Sequence, residues 1–369
     1  MNSPSVTLVS HGFQPNYEKA FSNGLARRGA EVTLIGSDRS LCQQMESGIR
    51  FLNLRGSQQP QRTQIEKART LIRYAFRLLG ELLSHRPENL HLIGTLMTAS
   101  FLFGPLECLS YRLLSRRFIL TVHNLLPHDR HSVMNRFLFH VIYALPHTLV
   151  VHTRRMQEQL QDEWKVPASR IILMEHGIDD LPASPRPWNP DPDERIRLLI
   201  FGAVLRYKGV DTLLHALTHL DDCPISLQII GQCRDPSYRE EIEQLLSLAS
   251  VQHKVNWRQA YIPEDEVQEV FEQADAVVLP YRHIDQSGVL LTAYRFGIPV
   301  LAFDVGAFVD YVSDRTGLVV TDTTPAGLAT GVRAFSAKVR DFSRDEIRSH
   351  ARNYLWENTV VPLLRVYSR

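Results

Sequence analysis

Asp275-Ala-Val-Val-Leu-Pro-Tyr-Arg-His-Ile-Asp-Gln-Ser-Gly-Val-Leu-Leu-Thr-Ala-Tyr-Arg-Phe-Gly-Ile-Pro-Val300 reads as strand, loop, helix and the start of another strand. Ala276 to Leu279 is a short valine-rich apolar run closed by Pro280-Tyr281, the pattern of a strand buried on both faces and followed by a loop. Ser287-Gly288 stands where a helix should begin, with Val289, Leu290, Ala293 and Phe296 as its buried side. Serine can cap free amides, and glycine lets another group approach the backbone. Uncovered amides with a helix dipole behind them form a site for a phosphate.

The same grammar recurs upstream. Arg197 to Phe201 is a strand, Gly202 to Lys208 a loop, and Val210 to Leu220 a helix with leucines at 213, 214, 217 and 220. Arg206 and Lys208 therefore sit on a strand-to-helix loop at the carboxyl end of a sheet, where open α/β folds bind ligands. With Gln286, Ser287 and Gly288 they make a candidate diphosphate site.

Further strands are expected near 6–10, 32–35, 89–93, 118–122, 149–152 and 171–173, then near 198–201, 226–230, 255–257, 276–279, 299–303 and 317–320. Helical stretches alternate with them, so the fold class is α/β with parallel sheets. Proline concentrates between Pro182 and Pro192 and marks a stiff linker. The division expected is a first domain over 1–181, a linker over 182–196 and a second domain over 197–349. A last helix over about 350–369, carrying Trp356, Val360, Leu363 and Leu364, returns to the first domain.

At 369 residues, 44% hydrophobic and 22% charged, the chain has the balance of a two-domain globular protein. No run of eighteen apolar residues is present. The start, Met1-Asn-Ser-Pro followed by a strand, lacks the basic and apolar regions of a signal peptide, so a cytoplasmic location is expected. Cysteines 42, 108, 223 and 233 have neither metal nor redox spacing.

Net charge of +1 hides a division: through Arg155 there are 19 Lys and Arg against 9 Asp and Glu, leaving −9 for the remainder. Within the basic half, Ile65, Ala68, Ile72, Ala75, Phe76, Leu79, Leu82 and Leu83 line one helical face, with Arg69, Arg73 and Arg77 beside it. A second run, 101–118, joins Phe101, Leu102, Phe103, Tyr111 and Leu113 to Arg112, Arg116 and Arg117. A helix covering a sheet shows such a face too, but the arginines point to peripheral contact with anionic lipid at the inner side of the plasma membrane. No nucleic-acid motif accompanies the charge, and none is expected as a partner.

The loop after the first strand, His11-Gly-Phe-Gln-Pro-Asn-Tyr17, lacks the glycine-rich turn of a dinucleotide site, which argues against a dehydrogenase. His123-Asn124 and His128-Asp129 follow the strand ending at Val122 and stand at its mouth. Their spacing lacks convincing third and fourth ligands, so no metal is expected.

Taken together, the loop from Gly12 to Tyr17, Thr121-Val-His-Asn-Leu-Leu-Pro-His-Asp129, His176-Gly177, Phe201 to Gly209, Asp275 to Val300 and Trp356 resemble the retaining glycosyltransferases of family 4. That resemblance implies the GT-B arrangement, two Rossmann-like domains facing across a cleft, and a metal-independent hexosyltransferase with no cofactor. A nucleoside-diphosphate sugar would be the donor. The acceptor would be a hydroxyl, lipid-linked or on an oligosaccharide, in bacterial surface polysaccharide synthesis. His123 would lie by the transferred sugar, with Gly12, Asn16, Tyr17, Asn124 and His128 on the sugar or acceptor side. Thr292 and Tyr261 fall to the ribose and nucleoside. The family's two glutamates, seven residues apart, are missing here. Thr292 takes the place of the second, and Ile284 or Asp285 that of the first, which leaves Asp285 as a candidate beside the sugar. A branch of the family shares the Tyr-Arg and Gln-Ser-Gly pattern. Two other readings stay open: a nucleotide-sugar 2-epimerase, and a non-catalytic subunit that binds the nucleotide sugar.

Overall fold

The structure, a computed structural model, describes residues 3–59, 61–97, 103–125, 133–182 and 195–368. These form two compact units, the first built from Met1–Asp179 and Tyr354–Arg369 and the second from Asp180–Asn353. Residues 183–194, most of the expected linker, lie outside the described residues, as do Phe101, Leu102, His128 and Asp129.

In the first unit seven parallel strands take the order β3-β2-β1-β4-β5-β6-β7: β1 Ser5–Val9, β2 Glu31–Gly36, β3 Arg50–Asn53, β4 Asn89–Leu92, β5 Arg117–Thr121, β6 Thr148–Val151 and β7 Ile171–Leu173. Val6, Leu8, Val32 and Leu34 bury one face of β1 and β2, and Val9, Ile35, Leu90 and Leu92 the other. Helices α1 (Pro15–Arg27), α2 (Gln64–His85), α3 (Gly104–Leu114), α4 (Val133–Ala144) and α5 (Arg154–Asp162) connect them. Thr63 and Glu66 form a reciprocal capping box that fixes the start of α2.

The chain's end completes this unit. Ile178 donates its amide to the Tyr354 carbonyl at 2.7 Å, and Trp356 then packs into the core beside Phe21 and Leu8. A Cβ on Gly177 would sit 2.2 Å from the indole, so only glycine admits the ring.

The second unit has six parallel strands in the order β10-β9-β8-β11-β12-β13: β8 Ile196–Phe201, β9 Ile225–Ile230, β10 Val255–Arg258, β11 Ala276–Leu279, β12 Val300–Phe303 and β13 Gly317–Val320. Its helices are α6 (Val210–Leu217), α7 (Pro236–Leu246), α8 (Ala249–Gln252), α9 (Glu264–Glu272), α10 (Gly288–Arg295), α11 (Phe308–Tyr311), α12 (Pro325–Ser336) and α13 (Arg344–Ala351). Two short helices, α14 (Trp356–Thr359) and α15 (Val361–Tyr367), belong to the returning segment of the first unit. In the second sheet the order reverses between β8 and β11, and in the first between β1 and β4. Ligands of open α/β sheets bind outside the strand carboxyl ends at such switch points.

Candidate functional site

The loops that follow β8 and β11 flank the switch point of the second sheet and are fused by close contact. Gly209 ends the turn Arg206–Lys208 with φ of 65°, and a Cβ there would lie 2.0 Å from the Pro280 carbonyl oxygen. Glycine is needed on both counts. Arg282 donates its amide to the Tyr207 carbonyl at 2.7 Å and its Nη1 to the Arg206 carbonyl at 2.8 Å. Its guanidinium also pairs with Asp211, which accepts from the Tyr238 hydroxyl at 2.6 Å.

Within this frame the two expected cations differ. Arg206 is engaged on the surface by Glu241 at 2.7 Å and Asp235 at 3.4 Å, and lies 4.6 Å above the Tyr238 ring. Glu241 holds its pKa above the ordinary arginine value. Lys208 is only 7% exposed. Its Nζ has the Phe201 carbonyl at 3.4 Å and the Tyr281 ring centroid at 5.7 Å, and among the described residues no carboxylate within ion-pair distance. Burial pulls its pKa down to about 8. A desolvated ammonium without an anion is costly, and an anion supplied by a ligand removes that cost.

The start of α10 supplies the matching donors. Ser287 is its N-cap residue but makes no side-chain capping bond, and Gly288 opens onto free space. Gln286 Nε2 is buried and has no hydrogen-bond partner. The point a Cβ would occupy on Gly202 lies 3.0 Å from Lys208 Nζ and 4.0 Å from Val289 Cγ2, so the ammonium and the first turn of α10 meet across that glycine. Gly202 has φ of 94°, and alanine there would be strained as well as pressed on the ammonium. Gly202→Ala is expected to weaken nucleoside-diphosphate binding at least about tenfold by calorimetry and to lower stability by about 1 kcal/mol.

The remaining candidates in this unit are more dispersed. Thr292, one turn into α10, donates its hydroxyl to the Gly288 carbonyl at 2.9 Å. Asp285 is half-buried on the loop before Gln286. Tyr261, after β10, is 78% exposed.

In the first unit the carboxyl ends of the strands carry a cluster of neutral imidazoles around Tyr17. Gly12 is buried with φ of 69° and donates its amide to Ser10 Oγ at 3.1 Å, whereas Asn16 and Asn124 are exposed. Ring centroids of His123, Trp356 and His176 lie 5.0, 5.1 and 5.5 Å from that of Tyr17. A carbonyl only accepts, so each imidazole nitrogen facing one carries the proton. His123 thus donates from Nε2 to Ile93 O at 2.7 Å, His152 from Nδ1 to Met174 O at 2.9 Å, and His176 from Nδ1 to Gly177 O at 2.7 Å. This leaves His123 Nδ1 as an acceptor, and His152 Nε2 as a buried acceptor with no partner. Burial lowers all these pKa values, that of His176 to about 4 and that of His91, held between the hydroxyls of Tyr367 and Thr121, to about 3. Polar but uncharged walls of this kind suit hydroxyl-rich ligands. Among the described residues no group of three or more His, Cys, Asp or Glu is placed to hold a metal ion.

Sequence reading missed His91, His152, Gly202 and the Arg282–Asp211 pair. For His152 a signal existed: histidine follows Val122 and Val151 directly at the ends of β5 and β6, and recurs at 176 shortly after β7.

Residues 16–180 match the model described as Glycosyltransferase Family 4, and residues 195–337 that described as Glycosyl transferases group 1. The chain belongs to the group 1, family 4 glycosyltransferases. Among curated relatives, the GDP-mannose:glycolipid 4-beta-D-mannosyltransferase of Xanthomonas campestris pv. campestris is 29% identical, over 49% of this chain and 48% of its own length. The chain spans about half the length of the curated relatives it matches. Among solved structures, the sucrose-phosphate synthase of Thermosynechococcus elongatus aligns with a TM-score of 0.74 and 17% identity, over 99% of this chain and 98% of that one. The Anabaena protein HepE in complex with UDP aligns with a TM-score of 0.70 and 13% identity, over 99% and 98%. These likenesses give the family 4 chain the GT-B fold.

Proposed function

We propose that this chain transfers a sugar from a nucleoside-diphosphate sugar to a hydroxyl acceptor, with retention at the anomeric carbon. The observation that carries the reading is the buried Lys208 ammonium, without a carboxylate partner among the described residues, opposite a first turn of α10 that has no side-chain cap. Together they cradle a diphosphate, and their donors stabilise charge as it grows on the leaving group. Gln286 Nε2 adds a third donor.

In this reaction the bond from the anomeric carbon to the diphosphate oxygen breaks, and a bond to the acceptor oxygen forms on the same face. The departing phosphate takes the acceptor's proton. His123, neutral and with Nδ1 as acceptor, receives a hydrogen bond from a sugar hydroxyl, and Tyr17, Gly12, Asn16 and Asn124 complete the sugar and acceptor side. Asp285 binds sugar hydroxyls, and Thr292 with Tyr261 holds the nucleoside. The Xanthomonas relative acts on a glycolipid by its name, and the HepE structure holds UDP, which supports a nucleotide donor and a lipid-linked acceptor.

The test is a panel of nucleoside diphosphates and their sugars, read first by thermal shift and then by product analysis. At about 100 times its Kd a ligand stabilises the native state by about 2.7 kcal/mol. Silence across every nucleotide would sink the assignment, and donor turnover without acceptor would favour the epimerase.

A further inference from the structure

We propose that the face formed by α2 and α3 docks onto an anionic lipid bilayer. The proposal deepens the lipid-linked reading of the acceptor, but it is tested without any transfer reaction, so either can fail alone. Only Tyr74, Leu78 and Leu82 of α2 are buried. Ile65, Ile72, Phe76, Leu79 and Leu83 fall within about 40° of one line on a different side of the helix, at 3.6 residues per turn. That side is bare: Phe76 is 72% exposed, Leu83 68% and Ile65 66%. The single apolar face read from the sequence is therefore two faces, one packed and one without a partner among the described residues.

A second stripe runs along α3, where Leu106 is 63% and Leu113 64% exposed. Between the stripes lies a groove of about 330 Å³ walled by Ile72, Leu79, Phe103 and Leu106, which makes the surface continuous. Apolar surface gathered on adjacent helices is a mark of docking, since single exposed side chains are ordinary but contiguous ones are not.

Charge decides what docks. Arg69, Arg73 and Arg77 follow one another at four-residue spacing along the shoulder of the α2 stripe, exposed and without an ion pair among the described residues. Like charges at this spacing weaken an isolated helix. The two glutamates of α2 do not relieve them: Glu66 is held by Thr63, and Glu81 pairs with His85 at 3.1 Å. An apolar stripe bordered by unpaired arginines suits an interface where side chains enter the acyl boundary and cations meet anionic headgroups. A second copy of this chain, meeting the first through the same patch, would bring one arginine row against another.

Flotation of the full chain with vesicles of phosphatidylglycerol and phosphatidylcholine, compared with phosphatidylcholine alone, tests the proposal. The anionic vesicles should carry the wild type upward. Replacing Arg69, Arg73 and Arg77 together by glutamine should weaken that binding on the order of a hundredfold. Phe76→Ser with Leu83→Ser should also abolish it, with the thermal midpoint unchanged because both side chains face solvent. As a second readout, the emission of a Phe76→Trp variant should shift to the blue on adding anionic vesicles. Absence of wild-type binding would overturn the proposal, as would binding that survives both sets of substitutions, or a dimer dispersed by Phe76→Ser while vesicles are ignored.

Discussion

Replacing Lys208 by methionine should leave the free protein folded and remove its response to nucleoside diphosphates. Methionine keeps much of the aliphatic stem that fills the space beside Phe201 and Tyr281 and discards an ammonium with no anionic partner among the described residues. Deleting an unpaired buried charge is close to neutral for the fold, whereas deleting one member of a buried pair is not. Binding is another matter, because a cation about 4 Å from a phosphate contributes on the order of a few kcal/mol at intermediate dielectric. Affinity should fall on the order of a hundredfold, measured by calorimetry. The wild type should also lose affinity as pH rises through about 8, where the free ammonium gives up its proton and the bound one is held by the phosphate. The methionine variant should show no such dependence. An unchanged Kd in that variant would place the diphosphate elsewhere.

The second large effect is acid lability of the first unit. His91 and His176 are neutral in the fold, with pKa values of about 3 and about 4 against the ordinary 6.5. The unfolded chain therefore binds protons first as pH falls below 6.5, and stability declines until the folded values are reached. At pH 5 each of the two imidazoles should already have cost about 2 kcal/mol relative to pH 7, a sizeable share of the 5–15 kcal/mol typical of a domain. His152 acts in the same direction. Denaturant titrations at pH 7 and pH 5 should show the loss, and His176→Gln should flatten it. Equal stability at both pH values would mean that the imidazoles are solvated.

Much of this architecture was legible because it rests on local chemistry. The valine runs of β11 and β8, and the turn residues after them, report burial and direction within a dozen residues. What stayed hidden depends on distant partners. Arg206 and Lys208 look alike in the sequence, yet one meets Glu241, 35 residues away, and the other is covered by Tyr281 and the loop after β11. Periodicity likewise shows that α2 is amphipathic but cannot tell which of two neighbouring apolar stripes is packed. Thr292 illustrates a further limit, since its hydroxyl turns back to its own helix, a choice made by local geometry that residue type leaves open.

Trp356 touches Tyr17 and His176, so one wall of the imidazole cluster comes from the segment that returns to the first unit after the second. The first unit is therefore interrupted in the chain by the whole of the second. On the ribosome, where domains fold as units in order of emergence, the second unit is fully synthesised before the first can close. Trp356, which packs against the rings of Tyr17 and His176, is therefore made only after the whole of the second unit.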